Sequence, residues 1–216
     1  MRILHVATTL GPENGGAAVA CMELCVALAA RGHRVEIFTT LTDVPREWLI
    51  TPDQPFQHRG ITIYFFPVRR FGYYWFSRAL LGALWRTVRA FDVIHIHSLY
   101  RFHLPASAWV CRWFGRPYVV KPHGSLDPFL FKHRRWRKLP HEILFDRPAY
   151  ANAAAIHYAA DEERRLAEST SFIQSVNGDG ANAPQPVVVP EGVLIDPAID
   201  ERSVSQAQMR LLAQFP

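Results

Sequence analysis

The stretch Arg2–Thr40, RILHVATTLGPENGGAAVACMELCVALAARGHRVEIFTT, decides the fold. Its first part, Arg2–Thr8, is a short apolar run without helical period, which predicts a strand. GPENGG, Gly11–Gly16, is a turn-forming cluster. Ala17–Arg31 is almost wholly apolar and rich in Ala and Leu, which predicts a helix buried on nearly every side. Gly32 suits the position just past a helix end, and Val35–Thr40 reads as a second strand. Strand, glycine-rich loop, helix, strand is the order of a βαβ unit.

The same alternation continues outward. Ile61–Pro67, Asp92–His97, Pro117–His123, Ala154–Ala159 and Pro186–Pro190 read as strands. Tyr73–Phe91, Phe102–Phe114 (closed by Gly115), Trp136–Ala151 and Asp161–Ser169 read as helices. Leu41–Gly60, with three prolines, and the polar Thr170–Gln185 read as loops. Short apolar strands alternating with helices predict an α/β fold, a mainly parallel sheet of about seven strands with helices on both faces. Residues 1–192 form the expected domain; 193–216 read as a linker and a short helix over Val204–Gln214. The chain stops where a further strand is expected, as in a truncated domain pair.

Composition narrows the class. Of 216 residues, 49% are hydrophobic and 20% charged, a balance that folds rather than staying disordered. The most apolar segment, Ala17–Ala30, contains Glu23 and is shorter than the ~20 residues that cross a bilayer. Three cysteines without a CxxC pair make no disulfide framework and fit a reducing compartment. With no convincing signal peptide, a cytoplasmic protein is expected. The net charge is +5 and 21 of the 24 basic residues are arginine, which favours anionic partners.

Ligands of open α/β sheets bind beyond the carboxyl ends of the strands, and three groups fall there. In the Gly11–Gly16 loop, Gly15 and Gly16 would let a phosphate or sugar approach the backbone at a helix N-terminus; a plain tight turn is the simpler alternative. GPENGG is not GxGxxG, and no acid follows the second strand to hold a ribose, so a dinucleotide enzyme is disfavoured. No GxxxxGK[ST] occurs either. His95 and His97 share one strand face and could bind zinc, but neither Cys21 nor Cys25 pairs with them in spacing. The preferred reading packs one ring and lines the cleft with the other. No metal and no cofactor are expected, and Cys21 and Cys25 read as small buried hydrophobes. Third comes Pro122–Pro128, PHGSLDP. There His123 would contact a sugar hydroxyl or a phosphate, with Gly124 keeping the backbone open, Ser125 beside it and Lys121 adding charge.

Taken together, MRILHV, GPENGGAAVACMELCVALAARGHRVEIFTT, DVIHIHSLY, PYVVKPHGSLDPF, AAAIHYAADEE and VVVPEGV cover nearly the whole chain. In this order they resemble the N-terminal, acceptor-side half of nucleotide-sugar glycosyltransferases of the two-domain GT-B fold, family 4. The resemblance implies a single Rossmann-like domain and a parent activity. That activity moves a sugar from a nucleotide sugar to a glycan or lipid-linked acceptor in polysaccharide biosynthesis, with retention of configuration. It implies that Gly15 and Gly16 face the donor phosphates, that His123 contacts the transferred sugar, and that the His95–Ser98 strand end, His97 included, lies on the acceptor side. Lys121 and Arg101 are added as anion contacts. Pro190-Glu191-Gly192-Val193 departs from the family's Pro-Asn-Gly-Val. The family's Glu-x7-Glu pair is absent, since no glutamate has another eight positions on. The donor-holding half is therefore expected to be missing, and these residues alone to transfer no sugar. The alternative is a non-catalytic module for a glycan or lipid phosphate, or a remnant.

Two basic, aromatic stretches bear on partners. Arg69–Arg78 running to Arg89 would suit an anionic membrane surface at its cytoplasmic face, or its Leu80, Leu81, Leu84 and Val88 would pack on the sheet. Lys132–Lys138 reads as a solvated face or a contact for a lipid phosphate. No base-reading module accompanies either, so no nucleic-acid partner is expected.

Overall fold

A computed structural model of the protein describes residues 1–11, 15–44, 48–52, 54–71, 74–132, 135–177 and 183–190. Ten strands are defined among them: β1 (Arg2–Val6), β2 (Arg34–Thr40), β3 (Pro55–His58), β4 (Ile61–Phe66), β5 (Arg69–Phe71), β6 (Tyr74–Phe76), β7 (Val93–His97), β8 (Tyr118–Lys121), β9 (Ala155–Tyr158) and β10 (Gln185–Val188). The helices are α1 (Gly16–Ala30), α2 (Arg78–Thr87), α3 (His103–Trp113), α4 (Pro128–Lys132), α5 (Arg135–His141), α6 (Arg147–Ala151), α7 (Asp161–Glu168) and α8 (Ser171–Asn177).

Eight strands form one sheet in the order β10-β9-β8-β7-β1-β2-β4-β3. All seven strands expected from sequence are there and run parallel. The eighth, β3, lies antiparallel on β4, within the stretch read as a loop. From β1 the chain builds toward β2 and β4, then returns to add β7, β8, β9 and β10 on the other side. The order reverses between β1 and β7, and that switch point opens a crevice at the strand tips.

Alternation along the strands sorts two cores. Leu4, Val6, Ile94 and Ile96 pack with Leu80, Leu84, Leu104 and Val110 beneath α2 and α3. Val35, Ile37, Ile61 and Ile63 pack with Cys21, Met22 and Cys25 of α1. On that second face, β1 carries Ile3 and then His5, and β7 to β9 carry His95, His97, Lys121 and His157, all buried.

Four expectations need correction. The helix α1 is buried along one side only, through Ala18, Cys21, Met22 and Cys25; Val19 is exposed. The helix read over Tyr73–Phe91 begins at Arg78, because the Ser77 side chain caps it by accepting from Leu80 N at 3.1 Å. The aromatic residues before it pair as strands instead. Within Thr170–Gln185, Ser171–Asn177 is helical, since Phe172, Ile173 and Val176 share a face that packs on the core. The Trp136–Ala151 helix is broken: Pro140 lacks an N–H, and Glu142–Asp146 widens into a π turn before α6. The tail expected over 193–216, with its helix over Val204–Gln214, lies outside the described residues.

Candidate functional site

The site grows from the tips of β1, β7 and β8. A groove of about 350 Å³ lies there, lined by Thr8, Cys21, His97, Arg101, His123 and Ser125 among others. An adjoining recess of similar size is lined by Ala17, Lys121, His123, Gly124, Ala159 and Glu163. His123 stands at the junction of the two.

The backbone is unusual here. Five non-glycine residues among those described have positive φ, and three of them, Ser98 (φ 70), Tyr100 (φ 58) and His123 (φ 49), line this groove. Left-handed side-chain-bearing residues cost free energy and persist where surrounding contacts impose them. The contacts are identifiable. Ser98 N donates to the Lys121 carbonyl at 2.8 Å, which ties the tip of β7 to that of β8. The His103 ring donates from Nε2 to the His97 carbonyl, and Thr8 Oγ1 lies 3.0 Å from His103 Nδ1. The proton on Nε2 leaves Nδ1 to accept from the Thr8 hydroxyl. Burial pushes the His103 pKa down to about 4.

Gly15 sits at the N-cap of α1 with φ 65. Gly15 and Gly16 are exposed, and a Cβ at either would meet nothing within 4 Å. They precede Ala17, the first residue of α1 to line both recesses. Gly11 is different: a Cβ there would lie 1.7 Å from the Asp43 carbonyl oxygen. That glycine is required by close packing of the turn alone.

Behind the groove runs a strip of imidazoles across neighbouring strands. The ring centroids are 4.9 Å apart for His5 and His95, 4.5 Å for His95 and His97, and 5.2 Å for both His95–His157 and His97–His123. Hydrogen-bond distances join them: His5 Nδ1 to His97 Nε2, 3.0 Å; His97 Nδ1 to His123 Nε2, 2.9 Å; Lys121 Nζ to His157 Nε2, 3.1 Å. Burial first, with the other imidazoles of the strip and Lys121 disfavouring a further positive charge, holds His95 and His97 far below the usual imidazole range, so both rings are neutral. His123 is pushed down to about 4 by burial and by the Lys121 ammonium, with Glu163 opposing. With Nε2 engaged by His97, a neutral His123 would meet a sugar hydroxyl through Nδ1.

The residues expected from sequence thus divide. His97, Arg101, His123 and Ser125 line the groove; Lys121, His123 and Gly124 line the recess beside it; Gly15 and Gly16 line neither. Lys121 is only 1% exposed and its ammonium faces His157. The Gly124 N–H is already committed to the Glu163 carboxylate. Sequence spacing gave the His95–His97 pair no cysteine partner, yet Cys21 Sγ lies 3.5 Å from His97 Nε2. The Cys21 thiol is drawn down to about 6 by the neighbouring Cys25 thiol and by His5, against burial. Glu163, His5 and His157 were missed. The signal for the two histidines was one polar residue inside an apolar strand, as in Leu4-His5-Val6 and Ile156-His157-Tyr158.

A second surface is apolar. Trp85, Trp109 and Trp113 stack with centroids 5.2 Å and 5.8 Å from Trp85 and stand 38%, 50% and 65% exposed. Trp109 also lines a groove of about 650 Å³, with Phe102, Arg112, Leu144, Phe145 and Pro148 among others. Leu80, Leu84 and Val88 of the same region are fully buried, so that face of α2 serves the core. No helix among the described residues is long and apolar enough to cross a membrane.

An eight-stranded, mostly parallel sheet with helices on both faces and a groove at its switch point defines the N-terminal half of a GT-B fold. Residues 15–177 match the glycosyl transferase 4-like domain family, and the chain belongs to that family. No curated protein matches the chain significantly. Among solved structures, Anabaena HepE in complex with UDP-glucose superimposes with a TM-score of 0.58 at 19% identity, over 98% of this chain and 50% of that one. An E. coli structure described as trehalose-6-phosphate bound with UDP-2-fluoro glucose gives 0.51 at 16% identity, over 98% and 55%. The N-terminal domain of Candida albicans trehalose-6-phosphate phosphatase gives 0.51 at 13%, over 99% and 54%. At these identities the likeness is one of fold. The chain spans about half the length of the solved structures it matches.

Proposed function

We propose that this chain is the acceptor-side domain of a sugar transferase whose donor is a nucleotide sugar and whose acceptor is a glycan or a lipid-linked glycan in polysaccharide assembly. The observation that supports it is the meeting, at one switch-point groove, of the α1 N-terminus behind Gly15 and Gly16 with the strained, neutral His123. A helix N-terminus favours the negative charge of a leaving diphosphate. A neutral imidazole positions a sugar hydroxyl without carrying charge of its own. No side-chain nucleophile is needed: holding donor and acceptor together and stabilising the departing diphosphate lower the barrier, with the anomeric configuration retained. Arg101, exposed at the rim, supplies an anion contact; Lys121 contributes its field from below.

On this reading the 216 residues need a donor-holding half for turnover. The exposed Trp85, Trp109 and Trp113, near Arg86, Arg89 and Arg112, suit an anionic membrane at its cytoplasmic face, where a lipid-linked acceptor would be met. The test is transfer from a radiolabelled nucleotide sugar, by this chain alone and by the protein joined to a donor-binding half. The chain alone is expected to be silent. In the joined protein, His123→Ala is expected to lower kcat by about 100-fold or more with an unchanged circular dichroism spectrum. Normal turnover by that variant, or turnover by the chain alone, overturns the reading.

A further inference from the structure

His5 on β1, Cys21 on α1 and His97 on β7 come from three separate elements, and each is at most 2% exposed. One donor atom from each lies within 4.8 Å of the other two. His97 Nε2 is the hub: His5 Nδ1 is 3.0 Å from it and Cys21 Sγ 3.5 Å. Zinc holds nitrogen at about 2.0–2.1 Å and thiolate sulfur at about 2.3 Å in a tetrahedron. The edges of such a tetrahedron are about 3.3 Å between nitrogens and about 3.6 Å between nitrogen and sulfur. These two edges fall within a few tenths of an ångström of those lengths, and the third, from Cys21 to His5, lies within 4.8 Å and would close on an ion.

One further observation points the same way. Cys21 and His97 also line the 350 Å³ groove, so the fourth side of the cluster faces open space. Three protein ligands with one open position is the pattern of zinc sites that take an exogenous ligand. One thiolate and two imidazoles suit a borderline-soft ion such as Zn²⁺ and exclude magnesium or calcium, which require oxygen.

We propose that His5, Cys21 and His97 form a zinc site whose open position faces the switch-point groove. Binding releases the Cys21 thiol proton, while the proton between His5 Nδ1 and His97 Nε2 moves to the outer nitrogen of its own ring, so that both imidazoles stay neutral. With Nε2 on the metal, His97 must carry its remaining proton on Nδ1 and donate it to His123 Nε2, 2.9 Å away. The ion would thereby fix the tautomer and ring orientation of His123, as outer hydrogen bonds do in metal sites generally. This inference stands apart from the sugar-transfer reading, since it concerns binding alone.

The test uses protein stripped with a chelator and titrated with Co²⁺, then Zn²⁺, with metal content measured after gel filtration. One equivalent of cobalt is expected, with a sulfur-to-cobalt charge-transfer band that one equivalent of zinc abolishes. Cys111→Ser should keep the band; Cys21→Ser should lose it; His5→Gln should keep it while binding at least tenfold more weakly. X-ray absorption of the zinc-loaded wild-type protein, which needs no variant, should show one sulfur and two imidazole neighbours. Failure of the wild-type protein to take up stoichiometric metal overturns the proposal, as does a band that survives Cys21→Ser or an affinity unchanged in His5→Gln. A zinc neighbourhood without sulfur does the same.

Discussion

The Glu163 carboxylate accepts from the backbone N–H of Gly124 at 2.7 Å, reaching from the first turn of α7 to the loop that carries His123. Its other oxygen accepts from Ala159 N at 2.6 Å. One side chain therefore ties the tips of β8 and β9 together and holds a left-handed histidine in place. Glu163→Ala leaves both N–H groups without this acceptor and is expected to cost about 1–3 kcal/mol. Urea melts should show a lower midpoint at unchanged slope, with Glu163→Gln, which keeps one accepting oxygen, falling in between.

Gly16 separates stability from function. A Cβ at this position meets nothing within 4 Å, and its φ lies outside the left-handed region. Gly16→Ala should therefore leave the fold intact or stabilise it by about 0.5–1 kcal/mol. If the α1 N-terminus receives a donor phosphate, the same methyl group obstructs it. The expected outcome is an unchanged or higher Tm together with a raised KM for the nucleotide sugar in the joined protein. Unaltered kinetics would remove this end of α1 from the donor site.

Acid should weaken the fold ahead of general acid unfolding. His103 and His123 are held near 4, below the usual 6.5 of a histidine. Above about pH 6.5 both states carry these rings neutral and the full stability is present. As pH falls from about 6.5 toward about 4, the unfolded chain takes up protons that the native rings refuse, so stability declines across that window. For the fully buried His103 the loss is on the order of 3 kcal/mol. Denaturant melts with a chelator present should give a stability that drops from pH 7 to pH 4, and His103→Gln should flatten part of the slope.

Arg147 guards a buried charge. Its Nη2 lies 2.7 Å from Oε1 of Glu142, whose side chain is wholly buried in the π turn. Removing one partner of a buried pair leaves the other uncompensated. Arg147→Ala is expected to destabilise by about 3 kcal/mol, read as a drop in the urea midpoint, and Arg147→Lys by less.

The parallel sheet was legible because seven apolar runs alternate with helical ones, and the glycine loop marked where the crevice would be. Edge strand β3 was hidden: Pro55-Phe-Gln-His58 follows a proline-rich stretch, and antiparallel pairing on β4 makes it a strand rather than any pattern of its own. At the site, His97 and His123 could be placed because one ends β7 and the other follows β8 by two residues. Cys21 could not, since a helix residue meets the tip of β7 only through the way α1 crosses the sheet. Glu163 was likewise one acid among the three in the first turn of α7, and only the fold reveals which of them turns inward.

The two outermost strands share a trait with consequences for the protein in concentrated solution. Pro55 opens β3 and Pro186 stands second in β10. Each proline deletes a backbone donor from a rim that another chain would need in order to zip on. Each missing donor disfavours lateral growth at its margin and so works against neighbouring molecules fusing into ribbons.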